Sequence, residues 1–190
     1  MSVDGRTARR NRNRDAALDA AIELFGEGRT PPTPVEVAER SGVSLRSVYR
    51  YFADHDALAV AAVARYVERI DALFELDVAA DAPLDERITR LVDARLRLYD
   101  AVAPVVRVVL QRSADLPVFA SRLAARRAML ARQSAELFAP ELARLGSGMG
   151  DVVDALTQFE AVEHLRVQRG LSRRRTRAAL VEGLQRLLGP

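Results

Sequence analysis

Cysteine is absent from this 190-residue chain, and histidine occurs only twice, at His55 and His164. The lack of cysteine excludes disulfides, thiolate metal sites and a cysteine nucleophile, and the scarcity of histidine argues against a multi-histidine metal site. The longest uncharged run, 57-ALAVAAVA-64, is too short to cross a bilayer. No signal peptide is predicted, because acidic residues soon interrupt the basic start. These absences favour a cytoplasmic protein that needs no metal and no other cofactor.

The sequence also lacks the motifs of common enzyme classes. It contains no glycine-rich phosphate loop, no HExxH and no GxSxG, so neither a metal-binding helix nor a nucleophile elbow can be recognised. The chain is therefore not expected to be an enzyme. Its length suits one large domain, or a small domain joined to a larger one.

Lysine is missing as well, and all 29 basic residues are arginine. A GC-rich genome, which favours arginine and alanine codons, is the main explanation. The distribution is more informative, because residues 6–14 contain five arginines and no acid, whereas residues 53–190 contain 20 arginines and 19 acids. A basic arm of this kind suits a polyanion such as DNA, although a merely solvated terminus has the same composition.

Apolar residues recur with helical spacing along the whole chain, which predicts an all-α fold. Thr33 is a good N-cap before Pro34, so a short second helix is expected to begin there. Gly42 ends that helix, and Ser44 caps a third helix over about residues 45–51. An N-terminal domain over residues 1–53 and a larger helical domain over 54–190 are predicted.

The larger domain is expected to begin with a helix that runs from about Asp54 and keeps its apolar period through Phe74. Prolines at 83, 104 and 117 and the loop 146-GSGMG-150 separate the later helices. These helices are expected at about 84–102, 104–112, 117–139, 151–169 and 172–188.

The short helices within the first 52 residues, two of them joined by the sequence SGVS, predict a helix-turn-helix. The second helix of such a pair lies in the major groove of DNA. Arg46 and Arg50 share one face of it, and arginine donates bidentately to guanine. The hydroxyls of Ser47, Tyr49 and Tyr51 suit phosphate oxygens, although the Tyr49 ring could also be used in packing. A helix-turn-helix that serves only as a packing unit is the alternative.

The run 14–58 resembles the DNA-binding domain of the TetR family of bacterial transcriptional regulators. The likeness rests on AAIELF in the first helix, on TPVEVAERSGVS and VYRYF, and on Leu58. It implies an all-helical homodimer with two domains. A variable C-terminal domain would bind an effector, and the effector would change the affinity for operator DNA.

Three positions depart from the family pattern. Arg46 stands where the family usually has a small residue, so an altered operator preference is expected. His55 stands where the family usually has a lysine that contacts phosphate, and it could be a weaker phosphate donor or a cap residue. Tyr51 stands where the family often has a histidine. The full set of expected DNA contacts is Arg10, Arg12, Thr33, Ser44, Arg46, Ser47, Tyr49, Arg50, Tyr51 and His55.

The helices after residue 54 predict a second core that, by the resemblance, encloses an effector cavity. Arg95, Arg126 and Gln133 fall on or near apolar helix stripes, and a buried charge needs either an ion partner or a ligand. A salt bridge or a side chain that reaches solvent would serve equally. The candidate effector residues are Tyr66, Arg95, Tyr99, Phe119, Arg126 and Gln133, of which the three aromatic residues could simply be core.

The last two helices resemble the dimerisation pair of the family. Apolar or small residues recur there at helical spacing, and two such pairs related by a twofold axis form a four-helix interface. The expected interface residues are Leu156, Phe159, Leu180, Gly183, Leu184 and Leu187. The alternative is that these faces close the core of a monomer.

The sequence therefore predicts a DNA-binding regulator, most simply a ligand-responsive repressor that binds a double-stranded operator as a homodimer. The alternative is a constitutive DNA-binding protein whose C-terminal domain mediates only protein–protein interaction.

Overall fold

The computed structural model of the chain describes residues 5–27, 32–146 and 148–189. These residues form helices and no strand, so the expected all-α fold class is confirmed. None of the described helices has the length and apolarity needed to cross a membrane. A 3₁₀ segment, Asp71–Phe74, follows the fourth α-helix, and a π-helical turn, His164–Gln168, follows the ninth. The α-helices are α1 (Gly5–Gly26), α2 (Pro34–Ser41), α3 (Leu45–Tyr51), α4 (His55–Arg69), α5 (Leu84–Arg112), α6 (Pro117–Leu137), α7 (Ala139–Leu145), α8 (Met149–Thr157), α9 (Phe159–Glu163) and α10 (Arg173–Leu188).

Two compact units make up the chain, and each is built from segments that are separated in the sequence. The first unit contains Met1–Ile70 and Pro104–Ser121, and the second contains Asp71–Ala103 and Arg122–Pro190. Helix α4 belongs to the first unit, where it contacts α1. The compact units therefore divide elsewhere than after residue 53. The predicted division into an N-terminal domain over 1–53 and a larger domain over 54–190 remains a prediction.

Capping interactions determine where α2 and α3 begin and end. Thr33 Oγ1 accepts a hydrogen bond from the Glu36 amide at 3.2 Å, and the Glu36 carboxylate accepts one from the Thr33 amide at 2.8 Å. Gly42 ends α2 with φ at 68°, a left-handed conformation that favours glycine. Ser44 caps α3 by accepting a hydrogen bond from the Ser47 amide at 3.3 Å. The predicted boundaries of both helices are confirmed.

The core of the first unit anchors one side of each of its helices. Phe25, Val37, Val48 and Leu58, one from each of α1 to α4, are almost completely buried. Val48 is the buried residue of α3, and most of the other residues of that short helix are exposed.

Pro104 lies inside α5, so the predicted break between two helices at this position is wrong. A proline within a helix removes one backbone hydrogen bond and crowds the preceding turn. Here Ala103 and Val105 on either side of it are buried. Packing on both sides of the proline thus holds the helix together across the missing bond.

Other predicted boundaries also differ from the structure. Helix α4 ends at Arg69, and the expected continuation to Phe74 is the 3₁₀ segment. Helix α6 ends at Leu137 and a separate α7 follows. The helix expected over 151–169 is divided at Gln158, whose extended backbone separates α8 from α9.

The second unit has its own apolar core, which α5 and α10 share with shorter helices. Outside it, Arg177 Nε donates to Asp93 at 2.6 Å and Arg173 Nε donates to Asp100 at 2.8 Å, so two ion pairs join α10 to α5. The buried core residues are Ile88, Leu91, Val92, Leu96, Tyr99, Ala103, Leu137, Phe138, Val153, Val162, Leu180, Leu184 and Leu188.

A buried ion pair lies at the edge of this core. Arg87 Nη1 and Nη2 donate to the two carboxylate oxygens of Glu141 at 2.9 and 2.5 Å. The same guanidinium donates to the carbonyls of Ala82 at 2.8 Å and Leu137 at 2.7 Å. The side chains of Arg87 and Glu141 are only 7% and 12% exposed. This pair therefore links the start of α5 to α6 and α7 out of reach of most solvent.

Candidate nucleic-acid interface

The outward face of α3 carries the side chains that suit a DNA groove. Leu45, Arg46, Tyr49 and Arg50 are all exposed, and Tyr49 is 53% exposed. A helix of this kind fits the major groove, where arginine reads guanine and an apolar side chain contacts the thymine methyl group. Leu45 was missed by the sequence analysis, although an apolar first residue in a recognition helix was a signal for it.

The two arginines of α3 differ in whether contacts within the protein hold their side chains in place. Arg50 Nη2 donates to Ser47 Oγ at 3.3 Å, and its guanidinium carbon lies 5.4 Å from the centre of the Tyr51 ring. The side chain of Arg46 makes no hydrogen bond or ion pair with any residue that the structure describes. Arg46 is therefore the side chain of α3 that is best able to turn toward a base.

The expected hydroxyl contacts have structural roles in the cap regions. Thr33 Oγ1 donates to Glu36 at 2.9 Å, and Ser44 Oγ donates to Ser47 Oγ at 3.0 Å. Tyr51 is half-buried, with its ring edge-on to Phe52 at 6.4 Å between centres. These groups shape the surface on which a phosphate would lie.

His55 is already engaged at the start of α4. Its Nε2 lies 2.8 Å from the carbonyl oxygen of Pro32, so Nε2 carries the proton and donates, because a carbonyl only accepts. The preceding Asp54 caps the helix by accepting from the Ala57 amide at 2.7 Å. Only Nδ1 of His55 remains for a phosphate, and Nδ1 donates only in the imidazolium form, which makes His55 a poorer donor than the lysine it replaces.

The basic stretch 6–14 is not an irregular arm, because it forms the first turns of α1. All five of its arginines are exposed. The guanidinium carbon of Arg14 lies 5.6 Å from the centre of the Phe52 ring, just after α3. In the described part of the chain, Arg9, Arg10 and Arg12 have no carboxylate partner. The extension therefore presents uncompensated positive charge on a helix that is anchored beside α3.

Three of the six candidate effector residues are joined in the second unit. Arg95 is 5% exposed, and it donates to Gln133 Oε1 at 3.0 Å and to the carbonyl of Leu130 at 2.9 Å. Gln133 Nε2 donates to the carbonyl of Phe74 at 2.7 Å. Arg126 lies over the Phe74 ring, 4.4 Å from its centre. The structure thus brings Arg95, Gln133 and Arg126 together through Phe74.

The remaining candidates lie elsewhere. Tyr99 donates a hydrogen bond to the Glu163 carboxylate and packs against the Phe159 ring at 5.2 Å between centres. Tyr66 and Phe119 belong to the first unit. Phe119 is fully buried, and burial raises the pKa of the Tyr66 phenol. Tyr99 and Phe119 therefore have core positions, which was the alternative considered for the aromatic residues, and Tyr66 is partly buried.

The expected dimer residues fall into two groups. Leu180 and Leu184 are buried in the chain's own core, and Phe159 and Leu187 pack against that core, so a partner chain cannot pack on the buried pair. Leu156 and Gly183 are exposed. The apolar stripe of α10 therefore packs within its own unit, whereas Leu156 of α8 and Gly183 of α10 are the two expected interface residues that remain exposed.

A second basic run, absent from the sequence-based predictions, lies at residues 166–177. It contains six arginines and no acid. The nearly balanced charge of residues 53–190 as a whole hid this local excess of positive charge. Arg173 and Arg177 pair with Asp100 and Asp93.

Among the residues described, no cluster of three or more histidines, aspartates or glutamates could hold a metal ion.

Comparison with known proteins identifies the first part of the chain. Residues 17–62 match the family model for bacterial regulatory proteins of the tetR family. No protein of curated function matches the chain.

Two solved structures share the fold along nearly the whole chain. A protein from Streptomyces coelicolor A3(2), assigned as a transcriptional regulator, superposes with a TM-score of 0.66 at 22% identity, over 94% of this chain and 99% of its own. A protein from Mesorhizobium loti MAFF303099, assigned as a TetR-family transcriptional regulator, superposes with a TM-score of 0.60 at 14% identity, over 94% and 98%. The match at residues 17–62 therefore identifies α1 to α4 as a DNA-binding segment of the tetR type, and the two superpositions show that nearly the whole chain shares the fold of these proteins.

Proposed function

We propose that this DNA-binding regulator acts as a homodimer, that it represses transcription, and that a small-molecule effector in its second unit controls its affinity for operator DNA. It acts in the cytoplasm and catalyses no reaction. The observation that carries the proposal is the outward face of α3, with Arg46 and Tyr49 exposed above a buried Val48. Its partner is a double-stranded operator whose half-site includes a guanine for Arg46 and a neighbouring thymine for Leu45.

Replacing Arg46 with alanine is expected to weaken operator binding by about 1–3 kcal/mol, because a bidentate arginine–guanine pair is lost. The operator is first obtained by selecting bound duplexes from a random pool. Fluorescence anisotropy then compares the operator with a scrambled duplex. Arg46→Lys is the matched control, since it keeps the positive charge but loses the planar fork.

Both variants are expected to lose preference for the operator while keeping most of the affinity for scrambled DNA. Equal losses on both duplexes would instead show that Arg46 contacts only phosphate. A wild-type chain that selects no sequence from the pool would contradict the proposed function itself.

A homodimer is supported by the exposed apolar and small residues of α8 and α10. Val152 is 43% exposed and Leu156 is 36% exposed, although both are apolar. Ala179 and Gly183 on α10 are exposed and small enough for close approach of a second helix. Two copies related by a twofold axis can place their recognition helices about 34–36 Å apart, one turn of DNA.

Replacing Leu156 with glutamate is expected to dissociate the dimer at micromolar concentration, because it places a charge within the apolar part of the interface. Leu73→Glu is the matched control, since Leu73 is also a leucine at 36% exposure. Sedimentation velocity measures the mass of each variant. A dimer that survives Leu156→Glu, or that Leu73→Glu disrupts equally, would place the interface elsewhere.

A further inference from the structure

The middle of α6 is poorly covered by the chain's own residues. Phe119 and Ser134 are buried, but no residue from 120 to 133 is. Leu123, Met129 and Leu130 are apolar and only partly buried within this stretch. A helix in a bundle normally buries an apolar stripe along its whole length. The stretch 122–133, which lies in the second unit, therefore offers apolar surface for an additional molecule.

Arg95 reaches this part of α6 from inside the core. Its guanidinium donates to Gln133, to the Leu130 carbonyl and, at 3.4 Å, to Ser134 Oγ. All three acceptors are uncharged, and among the described residues no carboxylate accepts a hydrogen bond from Arg95. Burial lowers the pKa of this guanidinium to about 10, and the more distant Asp154 opposes the shift. A buried cation without a bound anion is costly, so an incoming anion gains more here than at an exposed arginine.

The amide of Gln133 connects Arg95 to the 3₁₀ segment Asp71–Phe74. A guanidinium only donates and a carbonyl only accepts, so Gln133 Oε1 must face Arg95 while its Nε2 faces the Phe74 carbonyl. Arg126 adds a second attachment, because it stacks on Phe74 and donates to Asp71 Oδ1 at 2.8 Å. The segment that directly follows α4 is thus held by two side chains of α6.

We propose that this site binds a small organic monocarboxylate with an apolar body. Its carboxylate takes the place of the Gln133 amide oxygen on Arg95, and its apolar part covers Leu123, Met129 and Leu130 of α6. A monoanion fits better than a phosphate, because Arg126 is already neutralised by Asp71 and Arg95 supplies a single positive charge. This assignment rests on the proposed function only for its regulatory consequence, because binding to Arg95 can be measured without DNA.

Displacing Gln133 from Arg95 has a consequence for the segment that follows α4. The Gln133 amide is oriented by its bond to Arg95, so its bond to the Phe74 carbonyl weakens when Arg95 turns to the ligand. Of the two α6 side chains that attach the segment Asp71–Phe74, Arg126 then remains in place while Gln133 loosens. This segment directly follows α4, which belongs to the first unit. A change in the segment is therefore passed along the backbone to α4 and alters operator affinity.

Titration calorimetry of the full chain with octanoate tests the site directly, with 1-octanol as the uncharged match. The wild type is expected to bind octanoate at least tenfold more tightly than the Arg95→Met variant, which keeps the volume of the side chain. Octanol is expected to bind both weakly and equally. Octanoate that binds both proteins alike, or that does not bind the wild type, would overturn the assignment.

Gln133→Glu tests the link to the 3₁₀ segment without any ligand. It places a carboxylate permanently on Arg95 and removes the donor to the Phe74 carbonyl. This variant is expected to lose octanoate binding at least tenfold, and its operator affinity is expected to equal that of the octanoate-saturated wild type. An operator affinity equal to that of the ligand-free wild type would overturn the regulatory link.

Two controls separate the possible failures. A Met129→Arg variant that turns the protein from dimer to monomer in sedimentation velocity would assign the α6 surface to a second copy and overturn the ligand site. A wild type that binds octanoate through Arg95 but selects no DNA sequence would leave the site intact and contradict only the proposed function.

Discussion

Replacing Arg87 with alanine is expected to lower the free energy of unfolding by about 3–5 kcal/mol, the cost of removing one partner from a buried ion pair. The Arg87 guanidinium donates to both oxygens of Glu141 and to two backbone carbonyls. Alanine leaves a carboxylate that is 12% exposed without its cation. Urea denaturation followed by circular dichroism measures the change.

The exposed pair Arg186–Glu182 is the matched control, since its side chains are 79% and 65% exposed. Arg186→Ala is expected to cost no more than about 0.5 kcal/mol. The double variant Arg87→Met with Glu141→Leu is expected to recover most of the loss, because it removes the unpaired charge. Equal costs at the buried and the exposed pair would contradict the assigned role of Arg87.

The contribution of the Arg87–Glu141 pair to the free energy of unfolding is expected to fall at acidic pH. The hydrogen bonds from Arg87 hold the pKa of Glu141 below its ordinary value of 4.5. A depressed folded-state pKa stabilises the protein above the unfolded-state pKa, and this stability is lost as the pH falls through the folded-state value. The difference in unfolding free energy between the wild type and Arg87→Ala should therefore narrow below a pH of about 4.5. A constant difference down to pH 3 would contradict the ionised pair.

Replacing Arg9, Arg10 and Arg12 together with glutamine is expected to reduce the salt dependence of DNA binding. If each arginine neutralises one phosphate, the slope of log K against log salt falls by about 2.7, and affinity at 0.1 M salt falls roughly 10²–10³-fold. All three side chains are exposed and have no carboxylate partner among the described residues. Fluorescence anisotropy with a fixed duplex at several salt concentrations measures the slope.

The chain provides a control of equal charge for this experiment. Arg169, Arg174 and Arg175 in the second basic run are also exposed and without a carboxylate partner in the part of the chain described. Glutamine at these three positions is expected to leave the slope unchanged. If both triple variants lower the slope equally, net charge and not the α1 extension determines the effect.

Local signals made the helix-turn-helix readable from the sequence. Thr33, Gly42 and Ser44 act on their nearest neighbours, so residue type and spacing are sufficient to place the ends of α2 and α3. Pro104 shows the opposite case. Its local preference against a helix interior is outweighed by burial of the residues around it, which the sequence does not reveal.

The candidate sites depended more on contacts between distant residues. The stripe containing Leu180 and Leu184 is visible in the sequence, but a stripe does not indicate whether its own chain or a partner covers it. The partners of Arg95 lie 35 to 39 residues away, so periodicity could mark Arg95 as buried without naming them. The exposed arginines of α3 were easier to identify, because exposure on a short capped helix needs no distant partner.

The discontinuous composition of the two units limits how the chain can be dissected. Its backbone passes from one unit to the other after Ile70, after Ala103 and after Ser121, twice within a helix. Truncation after α4 therefore removes Pro104–Ser121, and with it the Arg112 side chain that donates to Asp56 at 2.8 Å. Cleavage at any single peptide bond therefore cannot release one unit free of residues that belong to the other. An isolated N-terminal fragment is for this reason a poor substitute for the full-length protein in DNA-binding assays.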